Sequence, residues 1–345
     1  MSTWTAVSNL SVTLESGDRS CDIYANGRNR IGVTIVVEPI DENAAPIRVD
    51  PEHLLANLWL VDYVDESKLA WKGYGEWSYT DVAGEFTAIP GASGEHAEAS
   101  TRDDGVQRLT LWVYCSFGSE PKSIGVQART DSGDVVKSSL DGTYHGKVTL
   151  TPRAPVNHGR QDVEWDCSRT PTAAGDTAGN VTTKAWNYYL CLKADENDFV
   201  SFSASRCFTD DGYDGFFAYD ITPDGGRDNF YGAYVWYREP HDSANHSPQD
   251  RYGRGQIVNF PAVNAWCDHA TIYDREHPER YLCFTWVHAT TTGSGWYIPN
   301  GPTTLLKAYW PLKIVASDKY GNTGTFWVDG SDITGGLDIY DHEPW

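Results

Sequence analysis

Apolar residues recur at every second position along much of this chain, and the three-to-four spacing of an amphipathic helix is nearly absent. That pattern constrains the fold most, because strand side chains alternate between two faces with a period of two. Ile31, Val33, Ile35 and Val37 fall on one face of a predicted strand, and Leu109, Leu111, Val113, Cys115 and Phe117 on one face of another. Shorter runs follow at 124–128 and 148–150, separated by Asp131-Ser132-Gly133 and Asp141-Gly142, which are hairpin-type turn signals. The best helix start is Asp50-Pro51-Glu52, an N-cap followed by proline at the first helical position and an acid in the first turn. One or two turns are expected there before strand resumes near Trp59.

Between Thr151 and Thr183 the texture changes to Pro, Gly, Thr, Ala and Asn with few bulky apolar residues. Strands then return at 186–192, 199–208, 216–221, 230–237, 281–288, 305–316 and 325–328. The expected organisation is an N-terminal β-sandwich over 1–153, a linker or irregular segment over 154–184, and a C-terminal β-sandwich with long loops over 185–345. With 345 residues, each half is long enough to bury a core of its own. The expected fold class is therefore all-β, two antiparallel β-sandwich domains.

Charge excludes some partners. The 48 acidic against 27 basic residues give a net charge of -21, shared as 12 basic and 22 acidic residues in 1–150 and 15 and 26 in the remainder. With no basic block, a phosphate backbone has little to bind, so nucleic acid is not expected as a partner. No run approaches the apolar length of a membrane helix, so no transmembrane segment is expected. The N-terminus lacks a basic region followed by an apolar run. Cytoplasmic synthesis without a signal peptide follows, with any release by a non-classical route. Of seven cysteines, Cys115, Cys191 and Cys283 sit in apolar runs and read as small buried hydrophobes, although a Cys191–Cys207 disulfide fits an extracellular destination.

The segment Ile314-Val315-Ala316-Ser317-Asp318-Lys319-Tyr320-Gly321-Asn322-Thr323-Gly324-Thr325-Phe326-Trp327-Val328 resembles the closing hairpin of bacterial immunoglobulin-like domains, where a strand ending in Ala-x-Asp meets a Gly-Asn turn. Looser echoes stand at 31–43 and 126–133. The resemblance implies that at least one domain is immunoglobulin-like, a fold whose members are mostly adhesive or structural modules. It implies function by analogy only.

Candidate chemistry is sparse. Asp220, Asp224 and Asp228 place carboxylates around Gly225 with the spacing of a calcium loop, but Tyr231 stands where the bidentate Glu belongs, and flanking strands replace helices. An Asp-Gly hairpin accounts for the same residues without a metal. Calcium is the one cofactor the sequence raises. Cys267, His269, His277, Cys283 and His288 cluster, yet their irregular spacing lacks the close ligand pairs of a zinc site.

No nucleophile elbow, metalloprotease helix, P-loop or dinucleotide fingerprint occurs. The aromatic residues in Gly-rich loops are the remaining candidates. Trp296, Tyr297 and Asn300 lie in Gly293–Gly301, and Tyr74 and Trp77 in Gly73–Tyr79. Such rings can stack on sugar faces or anchor a protein, or can fold back to cap the sandwich. The leading expectation is a non-enzymatic bacterial protein recognising a glycan or protein surface through loops of the C-terminal domain. A toxin or self-assembling component delivered to host cells, and a glycoside hydrolase using paired carboxylates, are the alternatives. Oligomeric state is not readable.

Overall fold

A computed structural model describes residues 3–86, 105–170, 173–176, 181–194, 197–205, 216–224, 227–236, 254–257, 265–271, 280–291, 307–309, 311–330 and 335–344. The chain divides into two compact units, one comprising Met1–Val156 with Lys319–Asn322, the other Asn157–Asp318 with Thr323–Trp345. The division falls three residues beyond the expected edge of the first domain.

Among the described residues, ten strands build the first unit: β1 (Ala6–Leu14), β2 (Ser20–Tyr24), β3 (Ile31–Ile40), β4 (Leu58–Asp62), β5 (Ala70–Trp71), β6 (Trp77–Thr80), β7 (Gln107–Cys115), β8 (Lys122–Arg129), β9 (Val135–Ser138) and β10 (Val148–Arg153). One sheet has the order β1-β3-β7-β6-β5; the other runs β2-β10-β8-β4 with β9 on β8. Alternation decides which residues face inward. Ile31, Val33, Ile35 and Val37 are all buried, and they join Leu111, Val113 and Cys115 from β7 and Ile124, Val126 and Leu150 from the opposing sheet in one core. Most pairs are antiparallel, but β2 runs parallel to β10 and β5 parallel to β6.

The one α-helix among the described residues, α1 (Pro51–Ala56), starts where expected. The Asp50 carboxylate accepts from the Glu52 and His53 backbone N–H groups at 3.0 and 3.3 Å, which satisfies donors that the first turn leaves orphaned. No helix among the described residues is long and apolar enough to cross a membrane.

The second unit contains β11 (Asn157–His158), β12 (Val163–Thr170), β13 (Ala173–Asp176), β14 (Val181–Leu192), β15 (Phe199–Ser205), β16 (Phe216–Asp224), β17 (Arg227–Val235), β18 (Arg254–Ile257), β19 (Ala265–Thr271), β20 (Leu282–Thr291), β21 (Lys307–Tyr309), β22 (Leu312–Asp318), β23 (Thr323–Asp329) and β24 (Asp338–Tyr340). The sheets are β11-β23-β22-β15 with β24 on β23, β12-β14-β20-β17-β16-β21, and β13-β19-β18. Leu190, Phe284 and Val235 of the six-stranded sheet meet Ile314, Phe326 and Val328 of the five-stranded one in a second core. The hairpin from Leu312 to Asp329, which carries the immunoglobulin-like resemblance, is antiparallel, with Gly321 at φ +81 in its turn.

Three expectations change at this level. The segment 154–184 is not simply a linker: β12 pairs with β14 in register from Val163↔Leu192 to Thr170↔Ala185. The expected strand over 305–316 is two, β21 and β22, with Pro311 between them; proline has no N–H for a ladder. Phe117 leaves the alternation because β7 ends at Cys115, and Gly118 at φ +89 turns the chain there, so its ring is 77% exposed.

Candidate functional site

The parallel pair β5–β6 is closed by the five residues Lys72–Glu76, and the tightness of that connection positions the site. Lys72 adopts φ +48, a left-handed conformation uncommon for a residue with a Cβ, and its N–H donates to the Tyr79 carbonyl at 2.8 Å. Gly73 packs so closely on β5 that a Cβ there would stand 2.7 Å from the Ala70 Cβ. The Tyr114 hydroxyl donates to the Gly73 carbonyl at 2.9 Å and fixes the loop against β7. Held from below in this way, Tyr74 projects fully into solvent, at 103% relative exposure.

Trp77, the second ring expected here, does something else. It opens β6 opposite Cys115, is only 5% exposed, and its indole N–H donates to the Glu120 carbonyl at 3.0 Å. Burial corrects the expectation that Trp77 faces a ligand: its ring belongs to the core.

Beside Tyr74 lies a groove of about 650 Å³ lined by Gly27, Arg30, Lys72, Tyr74, Thr80, Val82, Tyr114 and Ser116, among others. Arg30 is held in it at two points. One N–H of Nη1 donates to the Val82 carbonyl at 2.8 Å, and Cζ lies 5.4 Å from the Tyr114 ring centroid. Gly84 leaves the room, since a Cβ there would meet the Arg30 Cδ at 2.7 Å. Lys72 Nζ is 2.8 Å from Asp81 Oδ1, and this hydrogen bond holds the Asp81 carboxyl below its ordinary value. Two exposed side chains, Tyr74 and Val82, line the groove. Ring, cation and hydroxyl groups on one concave surface are the chemistry of polar-ligand recognition.

A second recess of about 410 Å³ lies across the same edge, lined by Glu52, Leu55, Ala56, Leu58, Trp59, Trp71 and Tyr79. The Trp59 ring there already carries the chain's own cations, Lys68 Nζ at 3.6 Å and Arg129 Cζ at 5.2 Å from its centroid.

In the second unit, Trp296, Tyr297 and Asn300 lie outside the described residues. Asp220 and Asp224 stand on β16 and Asp228 on β17, in a ladder that continues to the pair Asp224↔Arg227. Asp220 and Asp224 are thus about 13 Å apart along extended backbone, the geometry of a hairpin and not of a loop wrapped round an ion. Among the described residues no three His, Cys, Asp or Glu side chains gather as a metal site.

The six-stranded sheet carries a tier of aromatic rings that spacing along the chain does not mark as a unit. Register brings Trp186 opposite Trp286 and Tyr231 opposite His288, with ring centroids 4.6 and 4.5 Å apart. His288 Nε2 lies 3.1 Å from Asn229 Oδ1, and burial followed by the nearby Lys184 charge lowers the imidazole pKa from its ordinary 6.5. Strand alternation could have placed each ring on this face; only cross-strand register could have joined them.

Comparison with known proteins adds little beyond this. No protein-family model matches the chain. No curated protein matches it either. Among solved structures, the C-terminal domain of the AgI/II polypeptide BspA from Streptococcus agalactiae is similar over 92% of this chain and 97% of that one, at 8% identity and a TM-score of 0.23. A protein described as membrane-anchored, from Corynebacterium diphtheriae, is similar over 92% of this chain and 58% of that one, at 9% identity and a TM-score of 0.14. Likeness this low carries no argument about the site, and the all-β class stands on the chain's own strands.

Proposed function

We propose that this protein is a non-catalytic recognition protein whose first unit binds a glycan in the groove beside Tyr74. The observation that carries the reading is the full exposure of Tyr74 on a loop that Gly73, Ala70 and Tyr114 hold rigid. A large apolar ring kept in water by a braced loop is preorganised for a partner, so little ordering entropy is lost on binding. A tyrosine face packs against the C–H face of a sugar ring while neighbouring hydroxyls and cations meet its oxygens. Ser116, Arg30 and Lys72 supply those groups. Among the described residues the lining includes no Asp or Glu. The proposed site uses Tyr74, one of the first-unit rings that the sequence marked; the second-unit residues Trp296, Tyr297 and Asn300 lie outside the described residues.

A glycan array followed by titration calorimetry tests this. At least one glycan is expected to bind the intact chain, and Tyr74→Ala to weaken it tenfold or more, about 1.4 kcal/mol. Absence of any glycan ligand, or a ligand indifferent to Tyr74→Ala, would overturn it.

A further inference from the structure

We propose that the ligand of this groove is an acidic glycan, a sugar bearing a carboxylate, and that Arg30 receives the carboxylate; the inference rests on the glycan reading above. The first ground is charge. The chain carries 48 acidic and 27 basic residues, yet among the described residues the groove lining holds two cations, Arg30 and Lys72, and no acid. An opening of that sign on a molecule of net charge -21 runs against its composition.

The second ground is that the two cations differ. Lys72 is neutralised by Asp81 at 2.8 Å. Arg30 has no carboxylate within ion-pair reach among the described residues; its side-chain partners are the Val82 carbonyl and the Tyr114 ring. Its Nε is buried without a hydrogen-bond partner. Elsewhere in this acidic chain, arginines such as Arg153 and Arg280 lie against Asp22 and Asp198. A guanidinium that is braced but left without a counter-ion is set for an incoming one, since its planar fork matches a carboxylate and charge-assisted bonds are the stronger kind.

The third ground is placement. Tyr74 and Arg30 line one groove, so a sugar ring on the tyrosine can extend an acid group toward the arginine. At physiological salt, charges farther off than about 8 Å are largely screened, so the local guanidinium outweighs the net charge of the molecule.

Calorimetry on the intact chain at 150 mM salt tests this with trigalacturonate and 3′-sialyllactose, each beside its uncharged methyl ester. At least one acid is expected to bind tenfold or more tighter than its ester. Arg30→Gln should bring the acid down to the affinity of the ester, with Arg30→Lys intermediate because the fork is lost. Asp81→Asn, which releases Lys72 on an exposed face, should widen the preference for the acid. Tyr74→Ala should weaken acid and ester by the same factor. Equal affinity for acid and ester, with Tyr74→Ala still weakening both, would overturn the acidic ligand and leave the glycan groove standing. No sugar binding, with Tyr74→Ala silent, would overturn both. Binding of a glutamate-rich peptide in place of any sugar would reassign the groove to a protein partner.

Discussion

Tyr74 and Trp77 are three residues apart and have opposite roles, which follow from what each side chain can reach. Trp77 begins a strand whose inward face is core, and its N–H finds the Glu120 carbonyl. Tyr74 sits between two glycines packed on Ala70 and Ser78, so the inward side of the loop is taken by the glycines and the ring stays in solvent. Trp77→Ala is accordingly expected to cost the first unit about 3–5 kcal/mol, a lost buried ring plus its cavity, read as a fall in denaturation midpoint. Tyr74→Ala should leave that midpoint unchanged, within about 0.5 kcal/mol. The sequence marked both rings by their Gly-rich setting and could not separate them. What separates them is that the strand begins at Trp77, and glycine content does not report that. Nothing in the sequence marks Arg30, because an arginine between Asn29 and a strand reads as an ordinary solvated residue until its neighbours in space are known.

At the scale of elements, the loop between β5 and β6 is only as good a platform as its glycine allows. Gly73→Ala would drive a Cβ into Ala70, so the loop must shift; glycan affinity should fall while the far-ultraviolet circular dichroism spectrum stays native.

The aromatic tier on β14, β20 and β17 makes a separate prediction about pH. Burial lowers the His288 pKa, so the folded state prefers the neutral ring. Above the unfolded value of about 6.5 the ring is neutral in both states and contributes no dependence. As pH falls through 6.5, the unfolded chain binds the proton first, and stability is lost until the folded pKa is passed. Chemical denaturation at pH 7.5 and 5.5 should show the loss, and His288→Gln should reduce it; an identical loss in the variant would contradict the assignment.

Elements with clean alternation or an Asp-Pro helix start, such as β3, β7 and α1, were legible. Strand β12 was not, although Val163 and Trp165 alternate with Glu164 and Asp166, because two apolar residues amid Pro, Gly and Thr are too few to stand out.

For the molecule as a whole, the charge of -21 is a property of both units, and self-repulsion of that size weakens a compact state. Screening should relieve it: the thermal midpoint is expected to rise between 10 and 150 mM sodium chloride, where the Debye length shortens from about 30 to about 8 Å. A midpoint that falls with salt would mean that attractive pairs such as Lys122–Asp62 and Lys137–Glu66 outweigh the repulsion. Fold class was legible at this scale because a period of two and hairpin turns recur along the chain. The groove was not, since it gathers residues from 27 to 116 that only sheet order makes neighbours.

The central claim is that this groove, with Tyr74 at its rim, is where the protein meets a sugar. Titration of the intact chain and of Tyr74→Ala with the best glycan from an array tests it most directly. The account predicts at least a tenfold loss of affinity in a variant whose denaturation midpoint matches the parent; equal affinity in the two proteins would contradict it.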